Sequence, residues 1–303
     1  MVLVKEVDLS MFPQFYPLLQ ELNPQLSEQE WYSVFAHQWH RERKTCGYGL
    51  FDDTKIVGFL GFIFSQRIIN GQIEDFCNLT SWIVQEPYRG HGISLLLALR
   101  KLKCTITDLS ATEGVVSICK RLGFQELDTQ IEILPNILGG ISSSKIKTTG
   151  DKSAIKDKLE PTEKKLFLDH ESYSRCQHLL VEAEGEQCYV IFTLVKNTKF
   201  PYSYIQYIGN RDLFARYSLG IRQAIAKINR TFLVLVDTRL VPGAIPWRFN
   251  LPIKICRLYK SSKVEPWQID NLYSELILLD FSPIPSLTWN KVVKQFKETN
   301  FTK

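Results

Sequence analysis

The sequence predicts an α/β fold, of α+β type with helices on a mixed sheet, built as two domains. Three observations carry this. Strand-like apolar runs alternate with segments of helical periodicity in both halves of the chain. A break in composition between residues 139 and 165 separates the halves. The order of elements in the second half repeats that of the first.

In the first half, Met11 to Leu22 and Ser27 to His40 read as helices, and Ser27 with Glu30 forms a capping box. Tyr48 to Phe51 and Lys55 to Ser65 read as strands, with Gly58 and Gly61 marking a bulge or a close backbone approach. Asn70-Gly71 is a hairpin signal before a strand over Ile73 to Val84. A glycine-containing turn, Arg89-Gly90-His91-Gly92-Ile93-Ser94, then leads into the apolar run Leu95 to Leu99. Cys104 to Leu109 is a short strand. Thr112 to Leu122 is a helix with Val115, Ile118, Cys119 and Leu122 on one face, stopped by Gly123. A strand follows at Glu126 to Leu134.

The domains are read as 1–138 and 166–303, joined by a linker or exposed loop over 139–165, with room for a short helix near Ser153 to Leu159. In the second half, Leu179 to Ala183, Gln187 to Val195, Tyr202 to Ile208, Phe232 to Asp237 and Ile253 to Tyr259 read as strands. Arg211 to Ile228 reads as a helix, and Asp270 to Leu279 ends the pattern.

Composition narrows the classes. The chain has 303 residues, 45% hydrophobic and 23% charged, and a formal net charge of +5 without a Lys/Arg block. No nucleic-acid partner is expected. No apolar run approaches the ~20 residues of a membrane span, and Met1 to Val7 lacks the pattern of a secretory leader. Seven scattered cysteines suit neither a disulfide framework nor a zinc site, so free thiols and a cytoplasmic location are expected. His37 and His40 read as exposed or capping residues, and no metal is expected.

The turn at 89–94 is where chemistry is expected. A glycine turn between strand and helix offers unpaired N–H groups and a partial positive charge, a ready anion site. Gly-Ile-Ser is not the Gly-Lys-Ser/Thr of a Walker loop, and Gly90-His91-Gly92 followed by Leu95 is not a dinucleotide fingerprint.

The turn resembles motif A of the GNAT (Gcn5-related N-acetyltransferase) superfamily, Arg/Gln-x-x-Gly-x-Gly/Ala, with Arg89, Gly92 and Ser94 in its fixed positions. Ser94 replaces the usual Gly or Ala, and Pro87 sits one place later than the commonest form. Arg121-Leu122-Gly123-Phe124 is similar to the family's second signature, Tyr-Glu-Lys-x-Gly-Phe. The resemblance implies a GNAT-type fold in the first half. The repeated element order suggests a second, degenerate GNAT-like domain. At its matching junction, Gly209-Asn210-Arg211-Asp212, the motif is missing and Asp212 stands where a diphosphate would sit, so only the first domain is expected to bind acyl-CoA.

What the resemblance implies is transfer of an acyl group, acetyl by default, from acyl-CoA to a primary amine of a small molecule or peptide. The backbone of Arg89, Gly90, His91, Gly92, Ile93 and Ser94 would hold the diphosphate, with His91 a neighbouring donor. The Val84 N–H would meet the thioester carbonyl, and Thr112 stands where an Asn often touches CoA. Cys119 occupies the position of the family's usual acid, Tyr. It is either that acid or a packing residue, with Tyr88 or a water as the alternative. The strand before the loop lacks the family's frequent Glu. Glu74 and Asp75 are the nearest carboxylates, and Asn78 or Thr80 are candidates to hold a relay water. These departures keep a second reading in view, a catalytically inactive acyl-CoA-binding or partner-binding module. A third, an aminoacyl-tRNA-dependent peptidyl transferase, ranks lower because such proteins generally lack an intact CoA loop.

Overall fold

The computed structural model of the chain describes residues 1–36, 39–40, 42–127, 130–136, 146–196, 200–243, 245–252 and 255–279. In chain order the elements begin β1 (Val2–Asp8), α1 (Phe12–Leu22), α2 (Glu28–Phe35), β2 (Thr45–Asp52), β3 (Lys55–Ile69) and β4 (Gln72–Val84). Then come α3 (Ile93–Ala98), β5 (Thr105–Ala111), α4 (Glu113–Arg121), β6 (Gln125–Glu126) and β7 (Gln130–Pro135). β8 (Lys147–Thr149), α5 (Lys152–Lys158), α6 (Pro161–His170), β9 (Cys176–Ala183), β10 (Glu186–Val195) and β11 (Tyr202–Ile208) follow. The last are α7 (Arg211–Arg216), α8 (Ser218–Asn229), β12 (Leu233–Asp237), β13 (Phe249–Pro252), β14 (Cys256–Lys260) and α9 (Glu275–Leu278).

The first unit comprises Met1–Leu127, Ile255–Glu265 and Tyr273–Leu279. Its seven-stranded sheet runs β1-β2-β3-β4-β5-β14-β6. β1 to β4 are an antiparallel meander, and β4 and β5 are parallel across α3. Successive strand residues face opposite sides, so Phe51 and Phe59 pack under α1 and α2 while Leu50 and Leu60 pack under α3 and α4. The local signals hold. Ser27 Oγ accepts the Glu30 N–H and Glu30 Oε2 accepts the Ser27 N–H (3.3 and 2.9 Å). Asn70 and Gly71 both take positive φ, as a two-residue hairpin turn requires.

β2 and β3 leave no space for a side chain at Gly47. A Cβ there would lie 2.3 Å from the Leu60 carbonyl oxygen and 2.7 Å from the Phe59 ring. Backbone on one side and a packed ring on the other leave no room. Gly47→Ala is expected to destabilise the unit by roughly 1–3 kcal/mol, seen as a lower urea midpoint at unchanged slope.

The second unit holds the described residues from 130 to 252 and Pro266–Leu272. Its seven-stranded sheet runs β13-β7-β12-β11-β10-β9-β8. β11 and β12 are parallel, connected through α7 and α8. Its core joins Val190, Phe192, Ile205, Val234 and Val236 to Leu213, Phe214, Ile221 and Ile225 of those helices.

The two sheet orders correspond strand for strand. β8 to β12 stand where β1 to β5 stand, β13 where β6 stands, and β7 where β14 stands. A mixed α/β fold in two repeats of one sheet order is therefore the observed architecture. One feature lies outside the expectation: each sheet takes its sixth strand from the other half of the sequence.

That exchange corrects the domain boundaries 1–138 and 166–303. The strand expected over Glu126 to Leu134 is two strands, β6 and β7, in different sheets. The segment read as a linker carries β8, α5 and the start of α6 over its described residues from 146. Its Lys/Thr composition reflects exposed faces, whereas Ile155 and Leu159 are buried. Residues 139–145 lie outside the described residues. β1 went unread because a charged edge strand, with only Val7 fully buried, lacks clean alternation. The helix expected over Ser27 to His40 ends at Phe35, and the helix over Arg211 to Ile228 breaks in two at Tyr217. All seven cysteines are free thiols. Among the described residues, no helix is long and apolar enough to cross a membrane.

Candidate active site

The site grows from a fork in the first sheet. β4 and β5 pair at three positions, Phe76 with Thr105, Cys77 with Ile106 and Asn78 with Thr107, and then part. Parting strands leave backbone donors and acceptors for another partner. Just beyond, β4 bulges against β3. Gly61 faces Thr80 and Phe59 faces Ile83, so Ser81 and Trp82 answer the single residue Leu60. Ser81 holds φ at 54°, a left-handed conformation that a non-glycine residue adopts at a cost of about 1–3 kcal/mol.

A cavity of about 190 Å³ lies in this fork. Thr80, Ser81 and Trp82 line it from β4, Asp108 and Ser110 from β5, and Thr112 from the start of α4, with Leu60, Leu96 and Val115 among its apolar walls. The Trp82 indole nitrogen is buried with no hydrogen-bond partner among the described residues. Its ring also lies 3.7 Å from where a Cβ on Gly92 would stand, so Trp82 joins the fork to the glycine turn.

The turn itself is a 3-10 helix over Glu86–His91 that continues into α3. It opens with Tyr88 N–H on the Gln85 carbonyl (2.9 Å) and closes with Gly92 N–H on the Arg89 carbonyl (3.1 Å). Much of the expected main-chain cradle thus turns back on its own carbonyls. Ile93 and Ser94 stand in the first turn of α3, whose N–H groups have no acceptor within that helix, and Ser94 Oγ donates to the His91 carbonyl (2.6 Å). Gly90 is exposed, with nothing within 4 Å of an added Cβ. Arg89 and His91 are exposed as well.

The other expected site residues divide. Thr112 reaches the cavity wall. Val84 pairs with Gly58 beyond the bulge and is not on the wall. Tyr88 donates its hydroxyl to Asp52 (3.0 Å), pinning the turn to the end of β2. Cys119 is a core residue, fully buried, with its thiol pushed up to about 12 by burial and by nearby Asp108. It packs and is not on the cavity wall. Glu74 and Asp75 lie at the other end of β4, about 20 Å along the strand from the bulge at ~3.3 Å per residue. Glu74 pairs with Lys263 (3.0 Å). Asp75 meets Arg43 and His40, both at 3.4 Å, so His40 is a buried partner and not an exposed cap. His37 lies outside the described residues.

Four residues went unread: Ser81, Trp82, Asp108 and Glu275. Asp108 had a signal, a charge inside a short apolar strand next to a helix. It is half-buried on the cavity wall and accepts the Ser110 N–H (3.2 Å). Burial, then the charge of Glu275, raise its pKa to about 7. Glu275 is 3% exposed and accepts from the Asn78 amide, whose oxygen accepts from Thr107 Oγ1 (3.0 Å). Burial raises its pKa as well.

In the second unit the matching fork is filled. β11 and β12 pair from Tyr202–Leu233 to Ile205–Val236. Beyond them, the Asn271 N–H donates to the Gln206 carbonyl (3.2 Å), and Arg239 binds the Ile269 carbonyl (2.7 Å) and Asp237 (3.2 Å). At the strand-to-helix junction, Asn210 caps α7 through Leu213 N–H (2.9 Å). The Glu163 carboxylate lies against Gly209, where an added Cβ would sit 1.8 Å from its Oε1. A side-chain carboxylate of the chain itself thus fills the space above this junction.

Comparison with known proteins bears on the first half of the chain and on the fold. Residues 12–102 match the model of the acetyltransferase (GNAT) family. The fold is similar to that of a GCN5-related N-acetyltransferase from Anabaena variabilis, with a TM-score of 0.55 at 11% identity over 86% of this chain and 72% of that one. A protein from Enterococcus faecalis V583, named a probable N-acyltransferase, gives 0.54 at 14% identity over 88% and 74%. A GCN5-related N-acetyltransferase from Kribbella flavida gives 0.52 at 12% identity over 86% and 70%. No curated protein sequence matches the chain. Likeness at such identities is one of fold, whereas the family match rests on sequence and spans β2 to β4, the bulge and the glycine turn. Residues 12–102, about a third of the chain, are therefore similar in sequence to the GNAT acetyltransferase family.

Proposed function

We propose that the protein is an acyl-CoA-dependent N-acyltransferase, with acetyl-CoA the default donor and a primary amine of a small molecule or peptide the acceptor. The observation that carries this reading is the asymmetry of the forks: open beside a glycine turn in the first unit, filled by its own chain in the second. Acyl-CoA supplies an activated thioester carbonyl. The residues of the chain hold, orient and shield it. Ile93 and Ser94, with whatever turn N–H groups a diphosphate draws from their internal bonds, face the phosphates. Ser81 and Trp82, at the bulge, stand in place of Val84 as the backbone nearest the thioester. The unpartnered Trp82 indole N–H is available to a bound group. The apolar walls exclude water from the reacting carbonyl.

Gly90 offers the sharpest test. Nothing in the fold requires glycine there, since an added Cβ meets nothing within 4 Å, but a diphosphate lying on the turn does. Gly90→Glu is expected to leave the thermal midpoint unchanged and to weaken acetyl-CoA binding about 10- to 100-fold, a loss of ~1.4–2.7 kcal/mol. Calorimetry decides it: equal affinity of the variant and the wild type, or no binding by either, overturns the reading.

One observation favours a second reading, a binding module without turnover. Cys119, in the position of the family's usual acid, is walled off in the core. Acetyl-CoA binding with no CoA release across a panel of amines would select it.

A further inference from the structure

The two units present one position in two settings. In each, an aspartate is the first residue past the last parallel pair of the fork: Asp108 after Thr107, Asp237 after Val236. In the second unit that aspartate is an anchor. Asp237 is fully buried, ion-paired to Arg239 at 3.2 Å, and accepts the Tyr204 hydroxyl at 2.8 Å. In the first unit the same position faces an open cavity. Asp108 accepts one N–H, and no Lys, Arg or His among the described residues offsets its charge.

The groups around Asp108 sharpen the contrast. Glu275 of α9 is tied through the Asn78 side chain to Thr107, the residue before Asp108, and its charge acts on Asp108. On α4 lies Cys119, a neutral thiol. On β14, Arg257 acts on Glu275, and Leu258 pairs with Asp108 in the sheet. A carboxylate set against another carboxyl in a low-dielectric site is poised to take a proton, not to hold a cation.

We propose that Asp108, on the cavity wall, accepts the proton of the attacking amine, and that Glu275, tied through Asn78 to the neighbouring Thr107, is a positioning residue. The proposal rests on the acyl-transfer reading and names its proton acceptor. As the amine nitrogen bonds the thioester carbonyl carbon, the C–S bond breaks with its electron pair on sulfur. The N–H proton passes to the Asp108 carboxylate and from there to the thiolate, so Asp108 ends the cycle unprotonated. A group that titrates near neutrality both takes and returns a proton.

The test uses the full-length protein as wild type, Asp108→Asn, Asp108→Glu and Glu275→Gln. CoA release from acetyl-CoA is followed over a polyamine, an amino sugar and a lysine peptide, with acetyl-CoA calorimetry and urea unfolding alongside. Asp108→Asn is expected to lower kcat about 100-fold or more with little change in the KM for acetyl-CoA. The wild-type rate is expected to rise with pH through about 7, because only the unprotonated carboxylate accepts. That limb is lost in Asp108→Asn, moves to lower pH in Glu275→Gln, and returns in part with Asp108→Glu.

Urea gives a readout independent of turnover. A raised folded pKa means that ionising Asp108 costs stability as pH rises through it. Asp108→Asn is therefore at least as stable as wild type near about pH 8, and its advantage shrinks toward about pH 5. Wild-type kcat and pH profile in Asp108→Asn, or clear destabilisation of that variant near about pH 8, overturns the proposal. Binding of acetyl-CoA without CoA release from any amine overturns acyl transfer and this proposal together. Failure to bind acetyl-CoA overturns the acyl-CoA reading itself.

Discussion

A fragment of residues 1–138, cut where the composition shifts, is expected to show no cooperative unfolding transition. Its sheet would lack β14, the strand between β5 and β6. β6 is two residues long and pairs with β14, so it would be lost too. α9 would go with them, leaving the Asn78 amide without Glu275. Leu258, Tyr259, Leu276, Ile277 and Leu278 are all buried. At about 1.5–3 kcal/mol for each large apolar side chain, their removal costs roughly 10 kcal/mol. That equals the whole stability of an ordinary domain, about 5–15 kcal/mol. Urea unfolding followed by far-UV circular dichroism checks it, and residues 139–303 added as a separate chain are expected to restore a transition. A cooperative transition in the fragment alone, at the full-length midpoint, would mean that β7 has taken the place of β14.

The same exchange explains what was legible in the sequence and what was not. Signals confined to a few neighbours survive intact: the Ser27–Glu30 box, the Asn70-Gly71 turn, Gly123 behind α4 and the Arg89–Ser94 turn each depend on local geometry. The element order was legible for the same reason. Strand partnership was not, because β7 and β14 carry the same kind of short apolar pattern and nothing local says which sheet each joins. The site divided along the same line. Thr112 and the glycine turn could be placed by counting along the chain. Cys119 was placed at the right step of the helix, but its burial is set by the packing of α4 on the sheet. Glu275 stands 197 positions from Asn78 and has no local mark at all. Asp108 was readable in principle, as a charge inside a strand destined for the middle of a sheet.

Arg239→Met is expected to cost about 3–5 kcal/mol, the usual penalty for removing one partner of a buried ion pair. Arg239 is 7% exposed and Asp237 fully buried. The guanidinium ties three things together: the Asp237 carboxylate (3.2 Å), the Ile269 carbonyl (2.7 Å) and the Asn271 side chain (2.5 Å). Methionine keeps much of the volume but strips the cation from Asp237 and lets go of the 269–271 segment that fills the second fork. A double variant, Arg239→Met with Asp237→Leu, removes the stranded charge as well. It is expected to lose less than the sum of the two single variants, by about 0.5–3 kcal/mol. Urea midpoints on the four proteins measure this coupling, and additive losses would show that the pair does not act as a unit. The comparison bears on function because Asp237 and Asp108 occupy one position in two repeats. Where the cation and the filling segment are present, the aspartate is part of the fold's support. Where they are absent, it faces a cavity and is acted on by the charge of a second carboxyl. The stability lost at Arg239 therefore measures the compensation that Asp108 goes without.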